Sequence, residues 1–332
     1  MIKPKHRTRL GKYYVGECRA LLSGPLRRVL QGKVQLILTS PPYPLNRKKS
    51  YGNLTGPAYK RWFTDLAPLF AELLRPDGSI VIELGNAWLP GRPVQSLLHL
   101  ESLLGFVQAR GADLRLCQQF ICFNPARLPS PAAWVTVKRL RATDSFTHLW
   151  WMAKSDFPKA DNKRVLRPYS PDMLKLLHRG DYNNGHRPSQ HGISKEGFLR
   201  NNGGSIAQNV LEIEAIDIEH PPRVPNVLRI ANTRSNDFFF RECRAEGIIP
   251  HPARMPATLA AFFVHFLTTP GDLVLDPFAG SNTTGFVAER TGRHWLAIEQ
   301  EKTYLQQSRI RFRDPVLKRK RKRRKKARRV SR

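Results

Sequence analysis

Four cysteines in 332 residues, none in a Cys-x-x-Cys pair, and no histidine cluster at ligand spacing leave no sequence basis for a metal site. Cys18, Cys117, Cys122 and Cys243 read as reduced core thiols. No apolar run is long enough to span a bilayer, and the basic N-terminus lacks the apolar block of a signal peptide. The expectation is a soluble, cytoplasmic protein with no membrane partner, nuclear if the cell is eukaryotic. Acidic residues are also scarce: 26 Asp and Glu face 56 Lys and Arg, a net charge of +30. That imbalance predicts a polyanionic partner, nucleic acid first. A basic ribosomal or membrane-surface protein is the competing class, but 9% aromatic content and long apolar strand patterns favour a folded enzyme. With 41% hydrophobic residues the chain can bury a sizeable core, as one large domain with an insertion or two smaller ones.

Thr39-Ser40-Pro41-Pro42-Tyr43 closes the β-prone run Val34 to Leu38 and is predicted to leave the carboxyl end of a buried strand. Ligands gather at that edge in open α/β sheets. Two prolines remove two N–H donors and fix φ, so the Ser40 and Pro41 carbonyls become rigid acceptors beside a hydroxyl and an aromatic ring. This set suits a flat base with an exocyclic amino group. A Pro-Pro turn whose tyrosine merely packs on the core is the bland alternative.

A second apolar run, Leu273-Val274-Leu275, precedes Asp276-Pro277-Phe278-Ala279-Gly280-Ser281-Asn282-Thr283-Thr284-Gly285 and then a helix-like stretch, Phe286 to Thr291. Strand, small-residue turn and helix start form a nucleotide cradle. Together the two stretches resemble motifs of the amino-group DNA methyltransferases, with matching features from about Lys12 to Phe312.

The resemblance implies that Ser40, Pro41, Pro42 and Tyr43 form the catalytic loop, and that Asp276, Pro277, Phe278, Ala279, Gly280, Ser281, Asn282 and Thr283 hold S-adenosyl-L-methionine. Catalytic loop first and cofactor loop last matches the permuted order of the beta group. The implied fold is α/β: a Rossmann-like S-adenosylmethionine-dependent methyltransferase sheet, mainly parallel, with helices on both faces and an irregular target-recognition insertion. The expected divisions are a mobile basic arm (1–10), a catalytic half (11–154), a target-recognition region (155–236), a cofactor half (237–315) and a disordered basic tail (316–332).

Within the catalytic half, a strand over Lys12 to Glu17 precedes a helix over Arg19 to Leu30 interrupted by Gly24-Pro25. Glu17 stands where the family places an acid near the cofactor adenine. The polar loop Asn46 to Asn53 follows the catalytic turn and offers Arg47, Lys48 and Lys49 to phosphates. A helix over Tyr59 to Leu74, a turn at Arg75-Pro76-Asp77-Gly78 and a strand over Ser79 to Gly85 make a parallel crossover. Another helix is expected over Val94 to Leu104. Cys117 to Asn124 and Phe146 to Lys154 resemble the antiparallel pair that ends a methyltransferase sheet, with Trp134 and Arg139 in their connecting loop as candidate strand contacts.

From Ser155 to about Asn236 periodicity fades and Gly, Asn, His and Arg accumulate, the side chains that read bases and hold phosphates; Arg187, His191 and Arg200 are candidates. His251-Pro252-Ala253-Arg254-Met255-Pro256 opens a helix over Ala257 to Leu267, placed beside the methyl donor in the family. Glu299 ends a strand about 20 residues past the glycine turn, a spacing that suits a ribose-binding carboxylate. The Lys- and Arg-rich run from Lys318 would add salt-dependent, nonspecific affinity.

No Pro-Cys dipeptide occurs, so cytosine C5 attack by a thiolate is excluded. Ser40 heading its loop resembles the cytosine-N4 enzymes; adenine enzymes more often carry Asp or Asn there. The expected function is sequence-specific N4 methylation of a flipped cytosine in double-stranded DNA, as the modification half of a restriction system with a cognate endonuclease. Adenine N6 methylation, an RNA substrate and a nucleic-acid-binding protein on an inactive scaffold are the alternatives.

Overall fold

The structure, a computed structural model, describes residues 2–43, 54–186, 188, 191–212, 238–251 and 254–313. The chain begins with β1 (His6–Arg7) and β2 (Gly11–Val15), paired antiparallel with His6 opposite Tyr13. The basic arm, expected to be mobile, is tied down instead: Thr8 Oγ1 donates to Glu289 Oε2 at 2.6 Å, and Arg309 donates to the Lys5 carbonyl at 3.1 Å. Gly24-Pro25 divides the next stretch into α1 (Cys18–Ser23) and α2 (Arg27–Leu30), as a ring without an N–H requires.

β3 (Val34–Thr39) is buried at every position, the fate of an apolar strand covered by helices on both faces. α3 (Gly56–Leu73) turns Tyr59, Phe63, Leu66 and Phe70 inward at helical spacing. β4 (Leu74–Gly85) begins at once. The expected Arg75–Gly78 turn survives only as a bulge, where the register with β3 slips between Val34 and Leu36. α4 (Leu98–Val107) then leads to β5 (Arg115–Phe123) and β6 (Phe146–Ala153).

The expected recognition region holds α5 (Pro171–Arg179), a two-strand hairpin of β7 (Gly185–His186) and β8 (Gly192–Ile193), and β9 (Val210–Glu212). The remainder is α6 (Phe238–Ala245), α7 (Ala257–Leu267), β10 (Leu273–Asp276), α8 (Thr283–Arg290), β11 (His294–Glu299) and α9 (Tyr304–Arg311).

Among the described residues the main sheet has nine strands in the order β1-β2-β11-β10-β3-β4-β6-β5-β9. β2, β11, β10, β3 and β4 are mutually parallel, and β6 runs against both of its neighbours. The antiparallel pair β5–β6 forms as expected but does not end the sheet. β9 adds beyond it, parallel to β5, so the recognition region contributes an edge strand. One core packs Leu22, Leu30, Phe63, Phe70 and Phe106 on one face, and a second packs Phe120, Leu259, Phe263 and Val287 on the other. With helices on both faces, the free edge at the carboxyl ends of the parallel strands carries the loops.

Candidate active site

β3 and β10 are parallel neighbours, with Leu36 opposite Val274 and Ile37 opposite Leu275. Their following loops therefore emerge side by side. Thr39 Oγ1 donates to Asp276 Oδ1 at 2.7 Å in a buried bond that joins the two motifs. Burial pushes the Asp276 carboxyl up to about 6, against hydrogen bonds from Thr39, Thr284 and the Phe278 amide.

In the catalytic loop Ser40 Oγ donates to the Tyr43 hydroxyl at 3.5 Å, and the same serine hydroxyl lies within reach of the Glu83 carboxyl, whose charged form it favours. Tyr59 donates to the Pro42 carbonyl at 3.0 Å and fixes the second half of the turn. The Tyr43 ring lies against Gly85, where an added Cβ would stand 2.6 Å from a ring carbon, so only glycine admits the ring there. Burial, and next the Glu83 charge, push the Tyr43 phenol upward and keep its hydroxyl protonated.

Glu83 was not among the residues singled out from sequence. It sits on β4, 7% exposed, one pleat before Gly85 and on the same face. Thr147 of β6 donates to its Oε1 at 3.1 Å. Burial pushes its carboxyl up to about 7, opposed by hydrogen bonding from Thr147, the Arg127 charge and hydrogen bonding from Ser40, in that order. The one available signal was a lone carboxylate inside the apolar run Ile80 to Leu84.

The second loop is a tight backbone turn. Gly280 has φ 48° and Asn282 φ 64°, and the Asn282 side chain caps α8 by accepting from the Gly285 amide at 3.1 Å. Left-handed backbone at Gly280 suits glycine, and an added Cβ would sit 3.4 Å from the His251 ring. Tyr13 donates to the Gly280 carbonyl at 3.0 Å, while Glu299 accepts from the amides of Gly280 and Glu301, each at 2.8 Å. Arg311 holds Ser281 from behind, through its carbonyl and hydroxyl, both at 2.8 Å. Phe278 meets Trp62 of α3 edge-on, with centroids 5.6 Å apart. A carboxylate pinned by two amides, beside a left-handed glycine turn at the free sheet edge, is a set of groups that would fit S-adenosylmethionine.

Glu17 stands at the same edge, since the Gly16 amide donates to the Glu299 carbonyl at 2.9 Å. Its carboxylate is committed to α1, accepting from the amides of Arg19 and Ala20 at 3.0 and 2.7 Å. That cap fixes the carboxylate at the amino end of α1. His191 and Arg200 are exposed, in and beyond the hairpin, and among the described residues neither side chain hydrogen-bonds to the catalytic loop. Arg47, Lys48, Lys49 and Arg187, with the rest of the polar loop Asn46 to Asn53 and the basic tail from Lys318, lie outside the described residues.

The connection between β5 and β6 opens at the same edge. Asn86 accepts from His148 Nε2 at 2.9 Å and from Gln95 at 3.2 Å, and donates to Asp144 at 2.9 Å. Arg141 covers the ring of Trp88, so the loops after β4 and before β6 are locked together. Lys138 lies 4.6 Å above the Trp134 ring; Arg139 is exposed in a left-handed conformation, φ 52°.

Residues 34–309 match the DNA methylase family of N6 and N4 methyltransferases. The chain is 40% identical over 314 residues to the Type II methyltransferase M.PvuII of Proteus hauseri, covering 94% of this chain and 86% of the relative. It superposes on the solved PvuII DNA methyltransferase, described as cytosine-N4-specific, with a TM-score of 0.70 and 34% identity, covering 93% of this chain and 89% of that one. A putative DNA modification methylase from Thermus thermophilus, solved with S-adenosyl-L-methionine, shares the fold at a TM-score of 0.51 and 18% identity, over 91% of this chain and 93% of that one.

Proposed function

The chain belongs to the DNA methylase family, and from that premise we propose that it methylates the exocyclic N4 of cytosine in double-stranded DNA, using S-adenosylmethionine. The bond between Thr39 and Asp276 carries this reading, because it brings the Ser-Pro-Pro-Tyr turn and the cofactor turn to one edge. Ser40 at the head of its loop and the named specificity of the PvuII relative favour cytosine over adenine.

An exocyclic amine is a poor nucleophile because its lone pair is delocalised into the ring. Ser40 Oγ and the Pro41 carbonyl accept its two N–H bonds and draw the nitrogen toward tetrahedral geometry. Glu83, beside the Ser40 hydroxyl, receives the proton that the amine sheds. Tyr43 stacks on the base after it leaves the duplex. S-adenosylmethionine, when bound, supplies a sulfonium methyl that passes directly to nitrogen with no covalent enzyme intermediate. Asp276 to Thr283 and Glu299 hold it, so catalysis is positioning and electrostatics.

Residues 11–154 and 237–315 then serve as catalytic and cofactor halves, and 155–236 as the target-recognition region, with its exposed hairpin facing DNA. Arg47, Lys48 and Lys49 meet phosphates of the target strand. Similarity to a Type II methyltransferase supports a role as the modification partner of an endonuclease in a bacterial cytoplasm. Among the described residues no helix is long and apolar enough to cross a membrane.

Incubation of purified protein with duplex DNA and labelled S-adenosylmethionine, followed by nucleoside analysis, tests the reading. N4-methylcytosine is expected. N6-methyladenine alone would overturn the base assignment, and absence of label the enzyme assignment.

A further inference from the structure

We propose that Arg127 is a positioning residue for methyl transfer: its guanidinium, seated on the Phe146 carbonyl, holds Glu83 as the carboxylate that takes the amine proton. The inference rests on the role given to Glu83 above. Arg127 lies in the turn that follows β5, its amide donating to the Asn124 carbonyl at 3.2 Å. Its NH1 donates to the Phe146 carbonyl at 2.9 Å. Phe146 is paired with Phe123, and the next residue, Thr147, is the donor that holds Glu83 Oε1 at 3.1 Å. The cation is thus anchored one residue from the side chain that orients the carboxylate.

The groups facing Glu83 are Ser40 and Tyr43 of the catalytic loop, Thr147 of β6, Cys122 of β5 and Arg127 of the turn. Tyr43 and Cys122 are kept protonated, by burial first and then by the Glu83 charge, so they add no countercharge. Arg127 is the positive group of this set, and a guanidinium stays charged at any working pH. A buried carboxylate without an opposing cation takes up a proton instead of remaining charged. Once protonated it is useless as an acceptor. In the step itself a bond forms between the amine nitrogen and the methyl carbon, while the carbon–sulfur bond breaks and sulfur keeps the electron pair. The nitrogen then sheds one proton, through the Ser40 hydroxyl, to Glu83.

The test is the pH profile of kcat for Arg127→Gln, whose amide can still donate to the Phe146 carbonyl, beside Arg127→Lys, which keeps the charge. Neutralisation should move the acid limb upward by about one pH unit, a loss of about tenfold below the limb that disappears well above it. Arg127→Lys should leave the limb near the wild-type position. In a Glu83→Gln background, Arg127→Gln should change the residual rate by less than about twofold. An equal loss at every pH, or a raised KM for DNA with an unmoved limb, would overturn the proposal and make Arg127 a strut or a phosphate contact. If Glu83→Gln alone keeps the wild-type rate and limb, the reading of Glu83 fails and this inference falls with it.

Discussion

Thr39 and Asp276, 237 positions apart, share a buried hydrogen bond of 2.7 Å. Removing the hydroxyl in Thr39→Val leaves the carboxylate short of a donor where water cannot replace it. The expected cost is about 1–3 kcal/mol of stability, with weaker S-adenosylmethionine binding. Thermal unfolding and calorimetric titration measure both, and a variant unchanged in each would deny the bond its joining role.

Ser40→Ala and Tyr43→Ala should separate chemistry from cofactor binding. Methyl incorporation is expected to fall by about 10²–10³, while the affinity for S-adenosylmethionine stays within about threefold. Parallel loss of cofactor affinity would mean that the turn shapes the cradle rather than the reacting amine.

Glu83→Gln should exchange activity for stability. The carboxyl is raised from an ordinary 4.5 to about 7, so the folded chain holds a proton that the unfolded chain has released. Its contribution is therefore intact below about pH 4.5 and declines as pH rises to about 7, by up to about 3 kcal/mol. The neutral amide escapes that decline. The stability of Glu83→Gln relative to wild type, from denaturant titrations, should climb across that window while methylation is lost; a difference flat with pH would refute the burial argument.

Glu299→Gln and Gly280→Ala probe the cradle from two sides. The first weakens a carboxylate that grips the Gly280 and Glu301 amides, and S-adenosylmethionine affinity should drop about tenfold or more. The second forces a side chain into φ 48°, at a cost of about 1–2 kcal/mol. Calorimetric binding that is unaltered in both variants would place the cofactor elsewhere.

Much of this architecture was legible residue by residue. α7 was expected over Ala257 to Leu267 and occupies that span, because an apolar helix after a proline leaves little choice. β3 and β10 announced themselves as short apolar runs closed by small or proline-rich turns. Glu83 escaped notice because its importance comes from β4 lying between β3 and β6, a pairing that local pattern does not encode. Thr147 and Arg127 depend likewise on the register of β5 against β6. The arm at His6–Arg7 looked free since two residues carry no periodicity, yet β2 offered them an edge. Glu17 shows the reverse: its cap on α1 follows from a local rule that the sequence carries in full.

β2 pairs with β11 along five registers, from Gly11 opposite Trp295 to Val15 opposite Glu299. β2 thus waits for a partner strand that leaves the ribosome long after it. The nascent chain can assemble β3, α3 and β4 early, since they are sequence neighbours, and β10 can then dock on β3, but the Gly280 turn has no Glu299 until β11 arrives. Competence to take up the methyl donor is consequently a late event in the assembly of each molecule, withheld until β11 has been made and laid between β2 and β10.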